Sequence, residues 1–238
     1  MENKAERIAK FIARAGVCSR REAERMIEQG RVKLDGEVLK SPAVTVTDQN
    51  KIEVDGEFIG AREKTRLWLF HKPKGVITSH ADKEGRKTVF EILPDDMPRV
   101  ISIGRLDYNT EGLLLLTNDG DLSRKLELPS TAWIRRYRVR AYGHIDNNKI
   151  EILRSGVTIE GIKYAPAKIE VEKTQGGNSW LSISITEGKN REIRKMLEFA
   201  DLEVNRLIRT SYGPFQLGNL KPYQVKEVVG KVIREQVG

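Results

Sequence analysis

The sequence contains a single cysteine, Cys18, among its 238 residues. No intramolecular disulfide can form, and a metal cluster held by several cysteines is not expected. The longest run of purely apolar residues, 113–116, is far shorter than the roughly 20 residues that a helix needs to cross a bilayer. Residues 1–16 lack the apolar segment of a signal peptide. These features predict a protein of the reducing cytoplasm that has no membrane partner.

Residue patterns that hold metals and nucleotide cofactors are also missing. The three histidines, His71, His80 and His144, are scattered without the spacing of metal ligands. No GxGxxG segment opens a strand–helix unit, and there is no phosphate-binding P-loop. An enzyme built on this chain is therefore expected to work without a metal or another cofactor.

The charge of the chain is strongly positive. Lysine and arginine exceed aspartate and glutamate by 8, and the isoelectric point is near 9.5. Hydrophobic residues make up 39% of the sequence, which is enough for a folded core and excludes a disordered chain. An excess of this size favours polyanionic partners such as nucleic acid or acidic lipid.

The first sixty residues are predicted to form two helices followed by hairpins. Apolar residues at helical spacing favour a helix over residues 6–15. The segment Ser19–Glu22 is typical of a capping box, which opens a second helix that runs to about Gln29. Asp-Gly pairs at 35–36 and 55–56, each flanked by strand-like residues, predict two hairpins.

Basic side chains cluster around the turn between these helices and the first strand. An ordinary solvated face would account for them, but arginine also offers the planar fork that grips phosphate. The stretch AGVCSRREAERMIEQGRVKLDG strongly resembles the small RNA-binding domain first seen in the fourth small-subunit ribosomal protein, and the resemblance covers about residues 5–55. The candidate RNA-binding residues of this segment are Arg14, Arg20, Arg21, Arg25, Arg31 and Lys33.

The rest of the chain has a different pattern. The polar segment 61–66 is predicted to link a domain over 1–60 to a second domain over 67–238. A helix is predicted over 190–200, and another over 225–237. Because strands outnumber helices and arrive in series, the fold class is α+β with a mixed, largely antiparallel sheet. Predicted strands cover 67–70, 100–103, 137–143, 167–173 and 179–186.

One acid in the second domain, Asp107, precedes four consecutive leucines in the stretch GRLDYNTEGLLLLT, residues 104–117. Most acids of a soluble protein are solvated surface groups, and an acid here also suits a structural loop that bonds local backbone N–H groups. A calcium loop is excluded, because its twelfth position needs a glutamate and is Asn118 in this chain.

A functional interpretation of Asp107 rests on the strand that follows it. Four leucines in succession predict a strand buried on both faces, near the middle of a sheet. A polar loop that enters such a strand is held rigidly at the edge of the core. A carboxylate placed there, with a guanidinium nearby, is fixed in position and kept ionised. Arg105 and the segment Arg191–Lys195 offer such a partner.

Four stretches of the second domain resemble the RsuA/RluB family of ribosomal RNA pseudouridine synthases, and most closely its large-subunit members. They agree in order and spacing, and with the N-terminal domain they extend the resemblance over nearly the whole chain. The four stretches are HKPKGVITS at 71–79, GRLDYNTEGLLLLTNDG at 104–120, RRYRV at 135–139 and EGKNREIRKM at 187–196.

The resemblance assigns roles to individual residues. It implies that Asp107 is the catalytic aspartate, and that Tyr137 stacks on the target base or helps to move its proton. Arg194 is expected to pair with Asp107 and orient it, while Arg105 contacts the flipped nucleotide or its phosphate. Lys72 and Lys74 are expected to support the site or to bind backbone phosphate, and both are counted among the RNA-binding residues.

The activity that the resemblance implies is the isomerisation of one uridine to pseudouridine in ribosomal RNA, most closely the 23S RNA of the large subunit, without a cofactor. The expected partner is that RNA or a ribosome-assembly intermediate, and a monomer is expected. A non-catalytic RNA-binding or ribosome-assembly factor is the alternative. An RNA methyltransferase is disfavoured, since the glycine-rich loop for the methyl donor is missing.

Overall fold

The structure is a computed structural model that describes residues 5–60, 63–128 and 131–237. Its contacts divide the chain into two compact units. The first comprises Met1–Arg66, Asp96–Ile101 and Thr117–Gly120, and the second comprises the remaining residues. Two short segments that follow residue 66 thus belong to the first unit. The domain limits at 60 and 66 remain a prediction, and residues 61–62 of the expected linker lie outside the described residues.

The first unit contains the helix pair and the hairpins that the sequence predicts. Its apolar core is formed by both helices and the strands, with Ile8, Ile12, Ala23, Ile27 and Val32 completely buried. In chain order its elements are β1 (Glu6–Arg7), α1 (Ile8–Arg14), α2 (Arg20–Glu28), β2 (Val32–Leu34), β3 (Glu37–Val38), β4 (Thr45–Val46), β5 (Ile52–Val54) and β6 (Glu57–Phe58).

Local sequence signals account for most of these boundaries. The Ser19 side chain accepts a hydrogen bond from the backbone N–H of Glu22 at 3.1 Å, which confirms the predicted start of α2. Asp35 and Gly36 both have positive φ, as the two-residue turn between β2 and β3 requires. The first helix begins two residues later than predicted, because Glu6–Arg7 pairs with β4 instead.

The second unit is an α+β domain, as predicted. In chain order its elements are β7 (Leu67–Lys72), a 3₁₀ turn (Phe90–Ile92), β8 (Ile101–Ile103), β9 (Glu111–Thr117), α3 (Gly120–Glu127), β10 (Arg135–Tyr142), α4 (Asn147–Ser155), β11 (Val157–Ile159), β12 (Ile162–Tyr164), β13 (Lys168–Gln175), β14 (Asn178–Ile185), α5 (Glu192–Phe199), β15 (Glu203–Tyr212), β16 (Phe215–Gln216), β17 (Val225–Glu227) and α6 (Gly230–Val237).

One nine-stranded sheet organises this unit. Its main path runs β13-β14-β10-β15-β9-β7-β17, with β8 beside β9 and β16 beside β15. Strands β13, β14, β10 and β15 pair antiparallel, whereas β15 and β9 pair parallel. The sheet is therefore mixed and largely antiparallel, which confirms the predicted fold class. Within the described residues, no helix is both long and apolar enough to cross a membrane.

Strand β9 lies in the interior of this sheet, between β15 and β7. Its four leucines, 113–116, are completely buried, which confirms the prediction of a strand covered on both faces. The prediction of a helix over residues 225–237 was wrong in part. Val225–Glu227 extends the sheet by pairing with β7, so the terminal helix begins only at Gly230.

Strands β9 and β15 approach each other closely at Gly112. This residue has φ +103° and lies opposite Arg209 in the parallel pair. A Cβ atom at Gly112 would lie 2.3 Å from the backbone oxygen of Arg209, well inside van der Waals contact. Only glycine fits this position, because neither the φ angle nor the space admits a side chain.

We expect Gly112→Ala to lower the free energy of unfolding by about 3 kcal/mol or more, because strain and overpacking add at this site. Urea denaturation of the purified variant measures the loss. Gly218→Ala is the matched control: φ is also positive, +55°, but no atom lies within 4 Å of the added Cβ. Its cost should be only about 1–2 kcal/mol. Equal destabilisation of the two variants would contradict the close approach.

Candidate active site

A cavity of about 810 Å³ opens in the second unit. Its walls come from the loop before β9, from β10 and β15, and from the segment that leads into α5. Three of the four residues that the sequence analysis assigned to catalysis line it: Arg105, Asp107 and Tyr137. The structure thus brings together residues that are up to 32 positions apart in the chain.

Asp107 is half-buried and lies in a loop that is tightly held on both sides. The backbone N–H of Thr110 donates to the carbonyl oxygen of Asp107 at 3.0 Å, which closes a turn. The hydroxyl of Thr78 donates to the carbonyl oxygen of Leu106 at 2.9 Å. The backbone N–H of Gly75 donates to the carbonyl oxygen of Tyr108, also at 2.9 Å. The loop therefore presents the Asp107 carboxyl group to the cavity from a fixed backbone.

Lys72 binds the same loop from inside the protein, and its side chain does not reach the surface. Its side chain is completely buried, and its Nζ donates to the carbonyl oxygens of Pro73, Asp107 and Thr110 at 3.0–3.1 Å. Burial lowers the pKa of Lys72 to about 8, although the nearby Asp107 acts in the opposite direction. The assignment of Lys72 to RNA binding was therefore wrong, and its place is that of a support for the site. Lys74 is exposed and remains a candidate.

Arg194 also holds the loop, but not in the predicted way. Its Nη2 donates to the carbonyl oxygen of Asn109 at 2.9 Å, and its Nη1 donates to that of Val204 at 3.3 Å. In the described part of the chain, no ion pair within 4 Å joins Arg194 to Asp107, so the predicted direct pairing was wrong. The two side chains still interact. Burial lowers the pKa of Arg194, Arg191 acts in the same direction, and the charge of Asp107 opposes both.

Tyr137 and Arg105 occupy different depths of the cavity. Tyr137 is buried on β10, where it lies between Ile183 of β14 and Arg209 of β15. A register shift between Arg136 and Tyr137 marks a bulge at this point. Arg105 is exposed at the rim. An aromatic ring set deep and a cation set at the mouth suit a flat base that enters with its phosphate outside.

The basic residues of the first unit differ in how far they are available to a partner. Arg14 donates to both carboxylate oxygens of Glu6 at 2.6 Å, and only 15% of its side chain is exposed. Arg14 is therefore a poor phosphate ligand, which corrects its assignment. Three other residues are exposed but form ion pairs with acids: Arg25 with Glu22, Arg31 with Asp55 and Lys33 with Glu53.

Arg20 and Arg21 stand out in this group. Both are exposed at the start of α2, and neither forms an ion pair within the described residues of the first unit. They are the strongest candidates for phosphate contacts in this unit. Their role in RNA binding remains a prediction.

Two buried charged residues that line the cavity, Glu192 and Arg209, were missed in the sequence analysis. Arg209 alternates with the buried residues Leu207 and Ser211 along β15, so a charge occupies a core-facing position. The sequence carried no signal for either residue, because the burial of both is known only from the fold. Within residues 5–60, 63–128 and 131–237, no group of three or more His, Cys, Asp or Glu side chains is arranged to hold a metal ion.

Glu192 is a buried acid at the first residue of α5. One carboxylate oxygen accepts from the N–H of Lys189 at 2.8 Å, whereas Oε1 has no hydrogen-bond partner within the described residues. Burial raises the pKa of Glu192 to about 7. The N–H of Lys189 acts against this shift, and Glu187 adds to it. The hydroxyl of Thr110, another residue of the cavity wall, likewise has no partner in the described part of the chain.

Glu192→Gln should therefore stabilise the protein at alkaline pH. The folded chain binds more protons than the unfolded chain between pH 4.5 and about 7, so the wild type loses stability as pH rises through this range. Glutamine does not titrate. We expect a gain of up to about 3 kcal/mol above pH 7 that vanishes below pH 4.5, measured by urea denaturation at several pH values. Glu198→Gln, on the exposed side of α5, should show no such trend. A gain in the free energy of unfolding that does not depend on pH would contradict the raised pKa of Glu192.

Comparison with known protein families is consistent with this site. Residues 66–199 match the family described as RNA pseudouridylate synthase, and residues 6–56 match the S4 domain. The first match contains the catalytic candidates Arg105, Asp107, Tyr137 and Arg194.

Individual relatives agree along most of their length. A Rickettsia felis protein named uncharacterized RNA pseudouridine synthase is 51% identical over 233 residues, which is 97% of this chain and 100% of the relative. The ribosomal large subunit pseudouridine synthase B of Yersinia pestis is 43% identical over 218 residues, covering 89% of this chain and 69% of the relative. A crystal structure of a pseudouridylate synthase matches with a TM-score of 0.69 and 26% identity, covering 97% of this chain and 99% of that one. This chain belongs to the RNA pseudouridylate synthase family and carries an N-terminal S4 domain.

Proposed function

We propose that this chain converts one uridine of ribosomal RNA, in the 23S RNA of the large subunit, to pseudouridine, and that Asp107 is the reacting carboxylate. The observation that carries the proposal is the cavity wall, where Asp107 lies with Arg105 and Tyr137. The names of the Yersinia, Shigella and Escherichia relatives support the large subunit as the source of the RNA.

The reaction rearranges one nucleotide without adding or removing atoms. The bond between C1′ of the ribose and N1 of the base breaks, the base turns, and a new bond joins C1′ to C5. The proton on C5 leaves, and N1 gains one. A carboxylate can assist by attacking the sugar as a nucleophile, or by removing the C2′ proton so that a glycal forms. Both routes use the ionised form of Asp107, and neither requires electron transfer.

The site fits a nucleotide that has been turned out of its RNA. A cavity of about 810 Å³ is within the usual range for small-molecule sites. Extruding a base costs a few kcal/mol, which contacts in the pocket must offset. Tyr137 supplies an aromatic surface for the base, and Arg105 supplies a cation for the backbone phosphate at the rim. A fixed loop suits a carboxylate that must meet the sugar without further rearrangement, which supports the role proposed for Asp107.

The S4 domain is proposed to bind the RNA around the target. Unpaired bases in loops are the usual targets of sequence-specific RNA readers, whereas helical stems are held through phosphates and 2′-hydroxyl groups. Arg20 and Arg21 suit the second task, because both are exposed and free of ion pairs among the described residues. The alternative of a non-catalytic assembly factor would need only this domain. It leaves the joint placement of Asp107 and Tyr137 in one cavity without a purpose.

Asp107→Asn is expected to abolish pseudouridine formation while the dissociation constant for RNA changes less than about threefold. The amide keeps the shape of the carboxylate but cannot act as a nucleophile or a base. Chemical mapping of pseudouridine in ribosomal RNA, together with fluorescence anisotropy for binding, measures both quantities. Asp95→Asn removes the same charge at an exposed position outside the cavity and should leave activity unchanged. Full activity of the Asp107 variant would refute the mechanism and favour the assembly factor.

RNA binding should weaken steeply as salt rises, because phosphate contacts release counterions. Replacing Arg20 and Arg21 by glutamine should lower the slope of log K against log salt by about 0.7–0.9 for each phosphate that the protein no longer binds. Lys149→Gln is the matched control, since Lys149 already pairs with Asp201 on the surface of the second unit. Titrations at several salt concentrations give the slopes. An unchanged slope in the double variant would show that Arg20 and Arg21 do not contact phosphates of the RNA.

A further inference from the structure

Arg209 is a cation buried in the wall of the cavity. Only 3% of the residue is exposed. On one side it lies opposite Tyr137 of β10, and on the other opposite Gly112 of β9. Directly opposed residues of an antiparallel pair point to the same face, so the side chains of Arg209 and Tyr137 share the face that lines the cavity.

Its guanidinium is fixed by two contacts and left incomplete at a third point. Nε donates to the carbonyl oxygen of Leu113 at 2.7 Å, and Cζ lies 5.1 Å from the ring centroid of Tyr212. Nη2 is closed to solvent and has no hydrogen-bond acceptor among the described residues. A buried charged donor without an acceptor is costly to leave in that state, and such groups are rare in folded proteins.

We propose that Arg209 binds the base of the target nucleotide, with Nη2 donating a hydrogen bond to a carbonyl oxygen of uracil. This inference rests on the proposed function and adds a residue that selects the base. Arg209 lines the same cavity as Tyr137, so a base that lies against Tyr137 comes next to this side chain.

The base is a better partner for Arg209 than a phosphate. A phosphate would have to lose its hydration entirely to reach a side chain this deep, and it would share the cavity with the negative charge of Asp107. A neutral carbonyl oxygen of a ring that lies against Tyr137 meets neither obstacle. Exposed cations in the cavity wall, Arg105 and Arg191, are available for phosphate instead.

The symmetry of uracil lets one donor serve both substrate and product. Turning the ring by half a turn about its N3–C6 axis exchanges N1 with C5, and it also exchanges the carbonyl groups at C2 and C4. An N–H that holds one carbonyl of uridine therefore finds the other carbonyl in the same place in pseudouridine. Cytosine carries an amino group at C4, which would set a donor against Arg209 in one of the two orientations. A buried donor of this kind discriminates strongly between such bases.

Arg209→Met tests the contact by comparing two RNAs. One is a ribosomal RNA fragment that contains the uridine converted by the wild type, and the other is the same fragment with an abasic nucleotide at that position. We expect the variant to lose about 10- to 100-fold in affinity for the uridine RNA and to bind the abasic RNA as the wild type does. Conversion of the uridine by the wild-type protein reports separately on the proposed function.

Arg206→Met is the matched control, because it removes the same charge from the same strand. Arg206 is exposed, pairs with Glu111 and does not line the cavity. The affinities of the Arg206→Met variant for the uridine RNA and for the abasic RNA should change by the same factor. The proposal is overturned if Arg209→Met weakens binding of both RNAs by the same factor, which would indicate a phosphate contact or a structural role. Should the methionine variant fail to fold, Arg209→Lys keeps the charge, and the same selective loss of affinity for the uridine RNA is expected.

Discussion

The ammonium group of Lys72 is the contact on which the geometry of the site depends. Lys72 is the last residue of β7 and lies inside the protein. Each of the three protons on its Nζ meets a backbone carbonyl oxygen. Two of those oxygens belong to Asp107 and Thr110, the ends of the turn that carries the proposed catalytic carboxyl group. Moving that turn would take two of its three acceptors from a buried cation, which is far more costly than breaking an ordinary loop contact. The loop is therefore rigid because a charge is buried beneath it.

Two arginines extend this arrangement across the cavity. Arg194 joins α5 to the loop that carries Asp107 and to β15, whereas Arg209 joins β15 to β9. Both donate to backbone carbonyl oxygens instead of carboxylates, so they hold separate segments together without neutralising an acid. Asp107 is left with no ion pair within 4 Å in the described residues. Its oxygens are thus available to a nucleotide.

Local patterns in the sequence predicted local structure well. The cap at Ser19 and the Asp-Gly turns depend only on neighbouring residues, and the burial of β9 follows from its leucines alone. The motif around Asp107 indicated the family because its residues are contiguous.

Contacts between distant segments could not be predicted in the same way. Lys72 resembles a surface residue at the end of a strand, and only the fold shows that three carbonyl oxygens surround it. Arg14 is drawn to Glu6 by the packing of α1, and Glu192 becomes a cavity residue only when α5 docks on the sheet. For the same reason, Val225–Glu227 is a strand because β7 offers it an edge, although the sequence favours a longer helix.

Three polar atoms without partners among the described residues surround the cavity: Oγ1 of Thr110, Oε1 of Glu192 and Nη2 of Arg209. Each lowers the stability of the free protein. Stability and activity therefore oppose each other at this wall if it binds the nucleotide as proposed. Laboratory evolution for heat resistance alone would be drawn to these positions and would replace them with apolar residues. If Arg209 binds the base as proposed, the more stable proteins obtained in this way would have lost affinity for their RNA, and a screen for both properties at once would retain Arg209.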